Sequence, residues 1–313
     1  MSDRRGSRRA GAGALLFVIA GLLGLLLLGG QADADTSAGQ RSFETPEAAV
    51  EALLEAVNAK DMDALLAIFG PESRELLSSG EPAADRVAWE RFTTRAKEHT
   101  DLESGSDGVM LLNVGDDDWP FPFPLSQDDG VWTFDTEAGE EEIHSRQIGR
   151  NELFTIQIFQ QYAGLQRDYA ARMVTAGGAA EYAQRLRSTP GTHDGLYWEA
   201  TSESDESPAG PLMATATAAP DEATEPDPFH GYIYRALTAQ GANAPGGEKS
   251  YVRDGKMTDG FALLAYPAEH GETGVMTFVV NQQGLVFEKD LGSNAAARAI
   301  TTYNPDRTWN PAE

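Results

Sequence analysis

Five histidines are the side chains of this sequence best suited to bind a metal or move a proton: His99, His144, His193, His230 and His270. Zinc sites favour local pairs, such as an i, i+4 couple on a helix, because one short element must aim two ligands at one ion. No two of the five stand that close, so a metal site would require His193, His230 and His270 to converge from distant parts of the fold. Those three are the metal candidates, and the simpler expectation is that neither metal nor cofactor is bound. Carboxylates gather at Asp116-Asp117-Asp118, but the D-x-D-x-D-G loop that folds oxygens around calcium is missing. The cluster reads as a solvated turn.

The next residues, Trp119-Pro120-Phe121-Pro122-Phe123-Pro124, alternate rings with prolines. Proline fixes φ and removes the N–H donor, so the segment must be extended and suited to a sheet edge. Trp119, Phe121, Phe123 and the later Trp132 are the candidate ligand-binding residues, since such rings either fill a core or line a cleft. Gly246-Gly247-Glu248-Lys249-Ser250 has the composition of a phosphate loop, but Glu248 parts the glycines from Lys249. The Lys-Ser pair also leads into a strand, so no helix N-terminus faces an anion, and a hairpin loop is expected. There is no G-x-S-x-G elbow, no Cys nucleophile and no dinucleotide fingerprint. Acidic residues are too numerous for any pair to stand out as general acid and base. No catalytic residue is assigned, and the reading leans away from an enzyme.

The elements that must position these groups follow from periodicity. Thr45-Pro46 is an N-cap with proline at the first helical position, and Val50, Leu53, Leu54 and Val57 form one apolar stripe. Asp61 caps a second helix and Asp85 a third. After Gly105 the period shortens to that of strands: Val109–Val114, then Val131–Asp135 beyond an Asp128-Asp129-Gly130 turn. A long helix is expected from Asn151, as its cap, to Met173, apolar on most sides in its first half and therefore buried. Residues 174–228 are rich in Gly, Pro, Ser, Thr and Ala, with one helical patch at Glu181–Leu186 and a linker-like stretch at Thr201–Asp227. From Phe229 strands dominate: Gly231–Leu237, Phe261–Tyr266, Val275–Val280 and Leu285–Lys289. Helices followed by a meander, then a helix followed by an antiparallel sheet, is an α+β layout in two domains, 43–145 and 146–313.

The N-terminus carries Arg4, Arg5, Arg8 and Arg9 before an uncharged apolar run from Ala10 to Gly30, and Ala32-Asp33-Ala34 supplies a small-x-small cleavage pattern. This is the layout of a signal peptide over residues 1–34; uncut, the same run approaches the length of a membrane anchor. The expectation is an exported protein, either periplasmic or anchored in the inner membrane and facing the periplasm. Without Cys there is neither a lipid-anchor site nor a disulfide. The formal charge is −25, from 49 acidic against 24 basic residues. Such a surface repels nucleic acid and anionic lipid, so neither is an expected partner, and the membrane is met only through the N-terminal segment. The spread of acidic residues suits either a saline medium or simply an acidic envelope protein.

Several strings resemble a bacterial family known as domain of unknown function 2950. They are Asp117-Asp118-Trp119-Pro120-Phe121-Pro122, Ile148-Gly149-Arg150-Asn151-Glu152-Leu153, Glu181-Tyr182-Ala183-Gln184, Asp194-Gly195-Leu196-Tyr197-Trp198 and His230-Gly231-Tyr232-Ile233-Tyr234. Leu237-Thr238-Ala239-Gln240-Gly241, Gly260-Phe261-Ala262-Leu263, Gly274-Val275-Met276-Thr277-Phe278 and Lys289-Asp290-Leu291-Gly292 continue the match, which spans roughly 43–310. The resemblance implies an exported protein and carries over no reaction or ligand. Residues 43–140 also look like the cone-shaped fold of nuclear-transport-factor-2-like and SnoaL-like proteins. The second half looks like a pseudopilin head, departing from it in an internal helix interrupted by Gln157, Gln160, Gln161 and Arg167. The resulting expectation is a non-catalytic binding or assembly module that engages another exported envelope protein. The alternative is a small-ligand binder or hydrolase using an aromatic pocket of the first domain.

Overall fold

Thr45 starts the first helix of the computed structural model, which describes residues 39–78, 80–174, 178–202, 205–210 and 228–312. Its hydroxyl accepts the Ala48 N–H at 3.2 Å and Pro46 takes the first helical position, so α1 runs Pro46–Ala59. Lys60 closes α1 in the left-handed conformation, and Asp61 caps α2 (Met62–Phe69). After α3 (Arg74–Leu77), α4 (Pro82–Glu98) begins at its proline. Asp85 therefore lies inside α4, where its carboxylate accepts the Ser78 hydroxyl at 2.6 Å; it is not the cap.

An antiparallel sheet follows, built from β1 (Thr100–Ser104), β2 (Met110–Val114), β3 (Trp119–Pro120), β4 (Leu125–Asp128) and β5 (Val131–Phe134). The order is β1-β2-β4-β5, with β3 also against β2. Asp129 and Gly130 both have positive φ, which is what a two-residue hairpin between β4 and β5 requires. Leu53, Ile68, Phe69, Leu112, Val114, Leu125 and Phe134 close the first hydrophobic cluster.

α5 (Thr136–Arg172) is 37 residues long, roughly 55 Å at the helical rise. It is capped by Asp135, which accepts the Ala138 N–H at 3.0 Å. The expected start at Asn151 is corrected: Asn151 is interior and buried, and its amide donates to Thr273 O at 2.9 Å. One end of α5 meets the first cluster through Gly139, where a Cβ would lie 2.1 Å from the Phe123 ring. Its later turns send Ile156, Ile158, Phe159, Tyr162 and Tyr169 into a second cluster, and Gln157, Gln160, Gln161 and Arg167 mark its exposed face.

The second cluster is covered by an antiparallel sheet of β8 (Tyr232–Leu237), β13 (Ala262–Pro267), β14 (Met276–Asn281), β15 (Phe287–Asp290) and β16 (Asn310–Pro311). Their order is β16-β15-β14-β13-β8. Short pairs join them: β6 (Arg185–Arg187) with β7 (Gly195–Tyr197), β9 (Ala239–Gln240) with β10 (Lys249–Ser250), and β11 (Val252–Arg253) with β12 (Lys256–Met257). The loop Gly246–Glu248 is thus a hairpin connection, as expected where Lys249-Ser250 leads into a strand. A small helix, α6 (Asn294–Arg298), lies near the end. The helical patch at Glu181–Leu186 is also corrected: Tyr182 bridges Met257 and Arg185 opens a strand. Long-range main-chain partners override the local helical pattern there. The architecture is α+β. Residues 1–34 and most of Thr201–Asp227 lie outside the described residues. Among the described residues no helix is long and apolar enough to cross a membrane.

Candidate functional site

The four candidate rings do not share one environment. Phe123 is buried with its centroid 4.6 Å from that of Phe69, and the tilted Phe121 ring lies beside it at 5.4 Å. Trp132 is half-buried on the same cluster, its backbone paired with Phe43. Trp119 is exposed, facing the guanidinium groups of Arg146 at 5.3 Å and Arg95 at 5.9 Å. They grade from core to surface, and the four cavities described are lined by other residues. Asp116–Asp118 form the expected turn, with Asp117 paired to Arg95.

The three candidate histidines have separate partners. His193 lies 3.1 Å from Asp205, His270 lies 2.8 Å from Asp290, and His230 stacks on Phe154 at 3.8 Å between centroids. Among the described residues no group of three or more His, Cys, Asp or Glu could hold a metal.

A different constellation lies between α1 and the edge of the first sheet. Residues four apart on a helix share a face, so Glu47, Glu51 and Glu55 form one row, with Val50 and Leu54 beside it. Across from them, β1 contributes Thr100, Asp101 and Leu102, and β2 contributes Leu112. Together they enclose an open groove of about 600 Å³ with an apolar floor, carboxylates on both walls and no basic side chain in its lining. None of Glu47, Glu51, Glu55 or Asp101 forms an ion pair among the described residues.

The strand beside this groove is an edge. Among the described residues β1 pairs only with β2 in the sheet order. The bonds Gly115 N–H to His99 O and Gly105 N–H to Val109 O fix which register positions exchange hydrogen bonds. By the alternation of an antiparallel ladder, the peptide groups of Thr100, Leu102 and Ser104 then point away from β2. A row of open donors and acceptors therefore runs along an acidic, greasy-floored groove. Asp101 and Glu103 on that edge oppose pairing with another acidic strand, the usual protection of an exposed edge. Sequence reading noted the apolar stripe of α1 and passed over the acidic row next to it. The signal was three glutamates at four-residue spacing with no Lys or Arg interleaved.

No curated protein matches the chain, and no solved structure matches it. One family model does, described as "Protein of unknown function (DUF2950)", and it covers residues 40–312. That span takes in both hydrophobic clusters, the groove and the edge strand, and the chain belongs to this family.

Proposed function

We propose that the protein is a non-catalytic binding module, working outside the cytoplasm, that docks an extended basic segment of another exported protein along β1. The observation that carries this reading is the coincidence of the unpaired β1 edge with the unneutralised acidic groove. Main-chain bonds from an added strand supply affinity, and alternate side chains supply specificity. Lys or Arg on the partner meets Glu47, Glu51, Glu55 and Asp101, while its intervening apolar residues cover Val50, Leu54 and Leu102. The basic cluster at Arg4–Arg9 and the apolar run behind it support export.

The test is affinity capture from a cell-envelope extract with wild-type protein and with the double variant Glu51→Lys, Glu55→Lys. The expected outcome is one stoichiometric partner on the wild type, weakened by salt and lost on the variant at least tenfold, about 1.4 kcal/mol. Recovery of the wild type alone as a monomer, or equal capture by both proteins, would refute the reading.

A further inference from the structure

The sequence around β6 and β7 builds a second cavity, remote in chain position from the β1 groove and independent of what docks there. β6 and β7 are parallel although only seven residues join them, 188–194. Such a short crossover holds only if the loop is pinned. Asp194 pins it: one carboxylate oxygen accepts the Thr189 N–H at 2.7 Å and the Thr192 hydroxyl at 2.8 Å, and the other accepts the Thr189 hydroxyl. Gly195 is required where the strands meet, because a Cβ there would lie 2.5 Å from the Arg187 carbonyl carbon. From α5, the Tyr169 hydroxyl donates to His193 O at 2.6 Å. Burial, reinforced by the charges of Glu181 and Asp194, pushes this phenol up to about 12, so it remains a donor.

The pinned loop walls a cavity of about 390 Å³, within the size range of small-molecule sites. Among its charged side chains Arg187 and Glu199 pair at 3.9 Å, and the Asp205 carboxylate lies 3.1 Å from the His193 ring. Asp205 is further held by the Thr201 N–H and hydroxyl, which, ahead of His193, keep its carboxyl below the usual range. The Trp198 indole N–H is spent on Asp205 O at 2.7 Å, so that ring offers the cavity only carbon surface. Tyr197 is half-buried, with the Arg187 guanidinium 5.9 Å from its centroid.

This lining narrows the ligand by exclusion. A small anion would face Glu199 and Asp205, and a cation would face Arg187. A purely apolar molecule would strip water from these charges and from His193 without replacing their hydrogen bonds. A neutral ring molecule with an apolar face and many hydroxyls meets every demand: hydroxyls can both donate to carboxylates and accept from guanidinium. We infer that this cavity is a carbohydrate-binding site, taking a neutral pyranose oligosaccharide with one ring against Tyr197 and its hydroxyls on Arg187 and Glu199.

The test is calorimetric titration of the full chain with N-acetylglucosamine trisaccharide and with maltotriose, alongside inorganic phosphate, spermidine and indole. Tyr197→Ala and Glu199→Gln are the variants, because the Glu199 side chain is 84% exposed and Tyr197 is only half-buried where it packs on the second cluster. Unchanged melting temperatures show that both fold. The expected result is saturable binding of at least one trisaccharide in the micromolar to millimolar range, weakened about tenfold or more in each variant. The inference is overturned if neither trisaccharide binds at millimolar concentration, if binding is untouched by both variants, or if phosphate, spermidine or indole binds there instead.

Discussion

Among the described residues, Ser73 is the buried polar side chain of the first half, whereas Asn151, Thr155, Gln166, Ser188, Gln240, Thr277 and Asn281 all belong to the second. The first cluster is apolar contact over capped helices and a tight hairpin. In the second, side chains stand in for missing backbone partners. The Gln166 amide accepts the Ala183 N–H at 2.9 Å and donates to Ala183 O at 3.0 Å and to the Tyr162 hydroxyl at 2.9 Å. Glu152 accepts the N–H groups of Val275 and Met276, more than 120 residues away. Gln240 donates to Pro245 O and Gly247 O and accepts from Tyr251. Apolar packing tolerates a change of shape better than a buried hydrogen-bond clip tolerates a change of chemistry. The two halves should therefore respond unequally to substitutions of similar volume.

The largest effect is expected where that contrast is sharpest. Gln166→Met keeps volume but leaves the Ala183 N–H and C=O unmet in a buried site, at about 1–3 kcal/mol for each orphaned group. Leu53→Met, in the first cluster, should cost less than about 1.5 kcal/mol. Urea unfolding of the two variants measures both. Equal costs, or a costlier Leu53→Met, would break the comparison.

The same contrast explains which parts of the molecule were legible in the sequence. The Thr45 and Asp61 caps, the Asp129-Gly130 hairpin and the central strands of the second sheet are signalled by residues adjacent to the feature they produce. Asn151 looked like a cap because asparagine favours that position and little apolar periodicity precedes it. Its partner is Thr273 O, 122 residues on, and no local pattern can announce that. The Glu181–Leu186 patch failed for the same reason, since Ala183 is claimed by Gln166 and Tyr182 by Met257. For the β1 groove, the acidic row of α1 was readable from spacing. That it would lie opposite an open strand edge was not, because the edge depends on sheet order. The β6–β7 cavity was least legible: its histidine drew attention, but Asp205 and Arg187 reach it only through a parallel pairing that the connection length argues against.

An intermediate effect concerns acid. In the second half Asp194 and Asp290 are held below the usual carboxyl range. At Asp194 burial opposes this, but hydrogen bonds from Thr192 and Thr189, with the charge of Arg185, outweigh it. At Asp290 burial is likewise overcome by the Gly292 N–H and by His270. A carboxyl lowered on folding contributes stability that is complete above its unfolded value, about 3.9, and is lost as pH falls through the folded value. Trp198 fluorescence should thus change as pH falls below about 4, while Trp89 and Trp132 in the first half report no earlier transition. Asp194→Asn should loosen the loop at neutral pH and flatten the acid response at Trp198. An acid transition seen first at Trp89 and Trp132 would reverse the assignment.

The smallest effect tests whether the first half carries a cost that its apolar packing does not explain. Glu47, Glu51 and Glu55 repel one another along α1, each i, i+4 pair costing about 0.2–0.5 kcal/mol at low salt. Glu51 belongs to both pairs, so Glu51→Gln should stabilise the protein by about 0.4–1 kcal/mol if the two terms add. Gln keeps the length and helix propensity of Glu, so the gain isolates charge from packing. It should fade at 1 M salt, where the Debye length is about 3 Å. A gain that survives in high salt would mean the groove wall is strained rather than repelled. A row of carboxylates that destabilises its own helix in isolation, yet borders an open strand, is stabilised when a basic chain neutralises it. The same substitution should therefore raise the melting temperature and lower the capture of a basic partner together, two changes that a purely structural role for Glu51 would not couple.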